Sequence, residues 1–446
     1  MKKAHIVIIG GSAAGVTAAI TCRRHYPDKK VLLIRKEREA LIPCGIPYIF
    51  GTLRSIEKNL LPDAVVKGSG AEILIDEVVD VKRDERLVIT AGGERIAYDK
   101  LVISTGSVPG IPPIPGIDME NIFPVEKNAE LLKKMMEKLE GASNLVIVGG
   151  GFIGMEFADE CRKSFKAKIT VVEMLPHPLM LNFDEELCIA AEEIEKKTGV
   201  EIIAPERVES FVGNGKVKGV RLASGREIEA DMVLIATGHV PNTKLAEKIG
   251  LEICPTRAIK VDRYMRTNDE NIFACGDCAE KFSFFDGKPS NLRLASIAAM
   301  EARIASANLF GPRRMNEGVI GVFSTILSGT VFALAGLSEK EAKAKGYEIV
   351  IGEWEGVNRH PGSMPEAENL KLKLIFEKGT GVILGGELMG AKSGGEIINM
   401  IGTAISKRMT VEEMACLQMG THPALTASPI AYPIPNAAEM ALRNMR

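Results

Sequence analysis

One thiol stands apart in the stretch IPCGIPY, residues 42–48, where Cys44 lies between Pro43 and Pro47 with Gly45 and Tyr48 close by. The next cysteine downstream is Cys161, so no second thiol shares a short loop with Cys44. A thiol so placed can act as a thiolate that attacks a disulfide or persulfide, or as a sulfenic acid after meeting peroxide. The prolines fix the backbone direction, and Gly45 permits close approach. A helix starting just after Cys44 would add its dipole and raise the thiolate fraction.

Such chemistry needs a source of electrons, and glycine motifs point to one. The stretch VIVGGGFIGME sets Gly149, Gly151 and Gly154 in G-x-G-x-x-G register after an apolar run. The first glycine makes the tight turn and the second lets backbone approach a pyrophosphate. The third lets helix and strand pack, so that phosphate meets the helix N-terminus. Ile153 belongs to the same expected contact. Glu173 closes the next apolar run nineteen residues after Gly154, where a carboxylate accepts hydrogen bonds from a ribose diol. No Lys or Arg lies between 174 and 183 to neutralise a 2′-phosphate, which favours NADH over NADPH.

A second copy opens the chain. In GGSAAG, Gly10 and Gly15 keep their places, while Ser12 takes the middle position and is small enough for close backbone approach. Ala13 and Ala14 then begin a helix at the phosphate end. Arg35 stands where an acid would end the next strand, and Glu37 follows two residues later. The stretch RTNDENIFACGDCAE adds Gly276 and Asp277, a carboxylate just past a strand that can turn toward a polyol chain. Cys275 and Cys278 form a C-x-x-C, but no second such pair or histidine pair accompanies them. Small residues beside a cofactor are therefore expected here, and no metal centre.

These residues need particular elements to hold them. Residues 5–35 read as an apolar run, glycine turn, alanine-rich helix and second apolar run, a βαβ unit that recurs at 145–173. A further repeat pairs DKLVISTGSVP (99–109) with DMVLIATGHVP (231–241), each a strand entering a T-G-x-x-P turn that includes Thr105 and Gly106 or Gly238. Between them a proline-rich stretch, 106–118, reads as a stiff crossover. The alanine-rich segment from Leu294 onward, with Ala295 at its start, reads as a helix. Residues 318–337 carry no charge and could span a bilayer by length, but their β-branched residues and four glycines predict buried strands. Ser338 and Glu341 then form a capping box for a helix.

At 446 residues the chain is too long for one core, so two or three domains are expected. A net charge of −2 gives no electrostatic case for nucleic acid or an anionic membrane. Eight irregularly spaced cysteines do not make a disulfide scaffold, and a cytoplasmic protein is expected. The opening apolar run is too short for a signal-peptide core.

In order, GGSAAG, PCGIPY, ISTGSVP, GGGFIGME, IATGHVP and ACGDC resemble the FAD-dependent pyridine nucleotide-disulfide oxidoreductases over the whole chain. Within them the chain is similar to the single-cysteine branch of coenzyme A-disulfide reductases, NADH oxidases, NADH peroxidases and persulfide or polysulfide reductases. The resemblance implies an α/β fold with two Rossmann-like nucleotide-binding domains and an α+β C-terminal dimerisation domain. Residues 1–113 and 243–318 would hold FAD through the Gly10 loop, Arg35, Thr105, Gly106, Gly276, Asp277 and Ala295. Residues 114–242 would hold NADH, and residues 319–446 would form a homodimer interface.

The resemblance also implies electrons passing from NADH through FAD to Cys44, which cleaves coenzyme A disulfide, a persulfide or polysulfide. Two alternatives share its motifs, an NADH oxidase acting on O2 and an electron-transfer reductase for a protein partner. Ala13 stands where peroxidase members carry a histidine, which argues against a dedicated peroxidase. Tyr432 is the counterpart offered for an interface tyrosine beside the cysteine. His422 occupies a His-Pro element, with Ala427 in place of the glutamate that would orient it. Arg23 and Arg24 could meet an anionic substrate such as coenzyme A.

Overall fold

The computed structural model describes residues 2–445 and divides into two compact units. The first comprises the chain up to Pro112, Pro124–Lys138 and Thr237–Val319; the second comprises Pro113–Phe123, Leu139–Ala236 and the chain from Ile320 on.

In the first unit the strand Lys2–Ile9 is β-branched and buried along its apolar stretch, as suits a central parallel strand. It pairs in parallel with Val31–Arg35 on one side and with Arg95–Ile103 on the other. Ile272–Ala274 adds in parallel to Arg95–Ile103, so the chain leaves several strands at one common edge. The helix Ala13–His25 crosses between the first two strands, as the apolar period requires.

The second unit repeats the device. Asn144–Val148, the helix Phe152–Arg162 and Lys168–Val172 form a βαβ with parallel pairing, and Met232–Ile235 adds in parallel beside Asn144–Val148. The two repeated segments thus occupy the same place in their sheets. Their ends, Ser107–Pro109 and His239–Pro241, then pair antiparallel with each other, His239 opposite Pro109.

The uncharged segment folds as expected, into a hairpin of Val322–Leu327 and Thr330–Gly336. It belongs to a five-stranded sheet, all of whose pairings are antiparallel. The helix Pro433–Met445 packs closely along the edge strand Ile349–Val357, because a Cβ at Gly352 would lie only 1.9 Å from the Ala437 carbonyl oxygen. The capping box at Ser338 and Glu341 is formed.

Within this second unit a buried ammonium ties segments distant in sequence together. Lys373 Nζ lies 2.7 Å from Asp184 Oδ2, 2.9 Å from Glu186 Oε1 and 2.9 Å from Glu387 Oε2. Asp184 also accepts the backbone N–H groups of Glu339 and Lys340, capping a helix far away in sequence. Burial alone would lower the Lys373 pKa, but Glu387, Asp184 and Glu186 outweigh it and hold the ammonium protonated. Replacing Lys373 by Met leaves these carboxylates without their cation. The expected loss is about 3–5 kcal/mol in urea denaturation, largely recovered in Lys373→Met/Glu387→Leu; an unshifted midpoint in the single variant would count against the network.

Candidate functional site

The two glycine loops are built alike. Gly10 has φ +110°, and a Cβ there would lie 2.2 Å from Ser104 O; a Cβ on Gly15 would lie 1.8 Å from Gly10 O. Gly149 has φ +105°, and a Cβ on Gly154 would lie 1.9 Å from Gly149 O. Ser12 and Gly151 are the N-caps of the two helices, and neither helix has an acidic residue in its first turn or a side chain capping its N–H groups. Ala13 and Ala14 lie in one such turn and Ile153 in the other. Donors that no side chain caps, a positive helix end and a bare backbone fit the pyrophosphate of a dinucleotide in each unit.

The residues that end the following strands differ in chemistry but share a position. Glu173, 8% exposed, accepts the Gly150 N–H at 2.6 Å through Oε2 and the Leu175 N–H at 2.7 Å through Oε1. Arg35 lies equally close to Gly11, whose Cβ would fall 2.4 Å from Arg35 Cδ. Its guanidinium is bound to Asp63 at 2.7 Å and donates to the Glu37 and Arg38 carbonyls at 2.9 and 2.8 Å. Arg35 therefore braces the end of its strand, a task the sequence did not reveal.

Gly276 turns at φ +79° against the first helix, where its Cβ would lie 2.9 Å from Ala14 Cβ. Its N–H donates to Glu301 Oε2 at 2.9 Å, and Lys281 Nζ binds the Gly276 carbonyl at 2.7 Å and Glu301 at 2.8 Å. This ion pair is almost wholly buried and was missed in the sequence, where the two residues stand twenty positions apart. Above it, Asp277 Oδ2 accepts the Ser107 hydroxyl at 2.8 Å, with Lys127 Nζ at 3.9 Å. Burial, then Lys127, lowers the pKa of nearby His239.

Thr105 donates to the Asn242 carbonyl at 2.7 Å, and Gly106 and Gly238 take positive φ in the paired turns. Ala295 starts the helix Ala295–Asn308 and is exposed. Cys275 and Cys278 are fully buried, and burial raises both thiol pKa values, as suits inert packing groups.

Cys44 stands on a rigid foot. The 3₁₀ turn Pro43–Gly45 runs straight into the helix Ile46–Ile49, and Cys44 is exposed while Ile46, Pro47 and Ile49 are buried. The helix is a single turn, so the dipole expected from the sequence is short. Asn59, 2% exposed, holds the turn: its Nδ2 donates to the Ile42 carbonyl at 3.0 Å, and its own carbonyl accepts the Ile42 N–H at 3.0 Å. A Cβ on Gly45 would come within 1.9 Å of Asn59 Oδ1, which explains the glycine. No local pattern in the sequence marks Asn59.

Tyr432 lies in the second unit, 7% exposed, just before the helix Pro433–Met445; burial raises its phenol pKa. His422 is exposed in a turn closed by its own Nδ1, which accepts the Ala424 N–H at 3.2 Å, and by Thr426. Arg23 donates to the Pro27 and Lys29 carbonyls, so it closes a turn, while Arg24 is exposed. Among the described residues no cluster of His, Cys, Asp or Glu could hold a metal, and no helix is long and apolar enough to cross a membrane.

Residues 4–302 match the pyridine nucleotide-disulphide oxidoreductases, and residues 322–430 match the dimerisation domain of that family. The chain belongs to this family, as an FAD-dependent NAD(P)H oxidoreductase. It is 31% identical to an NADH oxidase of Methanocaldococcus jannaschii, over 98% of this chain and 99% of that protein. It is also 31% identical to an NAD(P)H coenzyme A polysulfide/persulfide reductase of Pyrococcus horikoshii, over 92% and 91%. The solved structure of an NAD-dependent persulfide reductase from A. fulgidus superposes with a TM-score of 0.90 at 32% identity, over 99% of this chain and 83% of that one.

Two outcomes follow from this geometry. Iodoacetamide at pH 8 should label Cys44 and Cys416, the exposed cysteines, and spare Cys275 and Cys278, whose raised pKa values keep them as neutral thiols; peptide mass spectrometry reads the pattern. Gly45→Ala should force Asn59 from the turn and lower stability by about 1–3 kcal/mol, a loss that chemical denaturation would register.

Proposed function

We propose that this chain reduces a small disulfide, persulfide or polysulfide, coenzyme A disulfide included, with Cys44 as the redox-active group. One observation carries the reading: an exposed thiol on a turn pinned by buried Asn59 and footed in apolar side chains. The Cys44 thiolate attacks one sulfur of the acceptor, forming a mixed disulfide and expelling the other sulfur as a thiolate. Two electrons and a proton then cleave that mixed disulfide, releasing the second thiol and restoring Cys44. Bound FAD supplies the two-electron link to the nicotinamide.

In this reading residues 1–113 and 243–318 hold FAD, residues 114–242 hold NADH, and residues 319–446 pair two subunits. Gly10, Ser12, Gly15, Asp277 and the start of the Ala295 helix face FAD, and Gly149, Gly151, Gly154 and Glu173 face NADH. Tyr432 and coenzyme A belong to the same proposal, as does a reducing, cytoplasmic setting for the thiols. The exposure of Cys44 also admits peroxide, and the similarity to NADH oxidases supports O2 reduction as the second reading.

Turnover of the FAD-loaded enzyme with coenzyme A disulfide, polysulfide and O2 separates these. Cys44→Ser should bring disulfide and polysulfide turnover to background while the flavin still binds and still bleaches with NADH. Full disulfide turnover by that variant would defeat the proposal, and turnover on O2 alone in the native enzyme would establish the second reading.

A further inference from the structure

The turn that carries Asp277 is held from behind by two charges out of reach of water. Gly276 offers one backbone donor and one acceptor, and the pair engages both. Its N–H donates to Glu301 Oε2 at 2.9 Å, and its carbonyl accepts Lys281 Nζ at 2.7 Å. Lys281 gives its other two donors to the Ala279 carbonyl at 3.1 Å and to Glu301 Oε2 at 2.8 Å. The side chains are 3% exposed for Lys281 and 0% for Glu301.

Such a pair is a poor source of stability. Two charges taken out of water cost about as much as their attraction returns, and apolar residues of like volume often replace them without loss. Glu301 is also only half satisfied, because its Oε1 has no hydrogen-bond partner among the described residues. What the pair does secure is direction. Gly276 stands at φ +79°, where a Cβ would lie 2.9 Å from Ala14 Cβ and 3.6 Å from Ala298 Cβ. Ala14 belongs to the helix Ala13–His25, and Ala298 and Glu301 belong to the helix Ala295–Asn308. The pair thus seats the turn between two helices, with Asp277 next in the chain.

We propose that Lys281 and Glu301 are positioning residues for FAD. They fix the Gly276–Asp277 turn in its binding conformation before the cofactor arrives, and so set cofactor affinity rather than fold stability. The inference rests on the reading that Asp277 and the start of the Ala295 helix face FAD.

Calorimetric titration of FAD into the FAD-stripped full chain, beside urea denaturation of the same preparation, separates the two roles. Lys281→Met/Glu301→Leu should keep the native unfolding midpoint and bind FAD about tenfold more weakly, the value of one charge-assisted hydrogen bond. A double variant as stable as the native chain that also binds FAD as tightly overturns the proposal. If the double variant does not fold, hydrogen exchange on the native chain decides. Without FAD, the Gly276 amide should exchange as slowly as the amides of residues 6–9 in the buried first strand; exchange at the rate of an open loop overturns the proposal. Asp277→Ala tests the reading beneath it: unchanged FAD affinity in that variant overturns the placement of FAD at this turn, whatever the pair does.

Discussion

At two joints between a strand and a helix the chain tolerates no β-carbon. The backbone at Gly15 lies directly on the Gly10 carbonyl, and that at Gly154 on the Gly149 carbonyl. Any side chain there would push the helix off the strand and take its N-terminus away from the turn. Each contact therefore fixes where a set of open N–H donors points. Each unit arranges its neighbouring residues around its own loop, with Gly276 packed on Ala14 in the first and Glu173 bound to Gly150 in the second.

Around these bare backbones the protein places buried charge sparingly. Lys281 and Glu301 are removed from water directly behind the Gly276–Asp277 turn and bind its backbone, so that turn is held by charge-assisted bonds in a region of low dielectric. Lys373 does similar work in the second unit, where it gathers Asp184, Glu186 and Glu387. Cys44 is treated differently. A neutral amide, Asn59, supports its turn, and no buried charge is needed to keep an exposed thiol in one place.

Much of this was readable in the sequence because it repeats or follows a period. The two glycine motifs, the two T-G-x-x-P turns and the β-branched 318–337 segment all folded as their patterns require. The polar supports did not announce themselves, because each joins residues distant in sequence. Asn59 and Ile42 are 17 positions apart, and Lys373 and Asp184 are 189. Arg35 shows the same limit: its position was legible, but its commitment to Asp63 and two carbonyls depends on a loop that no pattern placed beside it.

The account turns on Cys44 storing reducing equivalents of its own, and anaerobic titration with NADH measures that directly. After oxidation with coenzyme A disulfide, the native enzyme should consume one two-electron equivalent per subunit more than Cys44→Ser before excess NADH accumulates, with one coenzyme A thiol released from each subunit. Equal consumption by both proteins, with no thiol released, would contradict it.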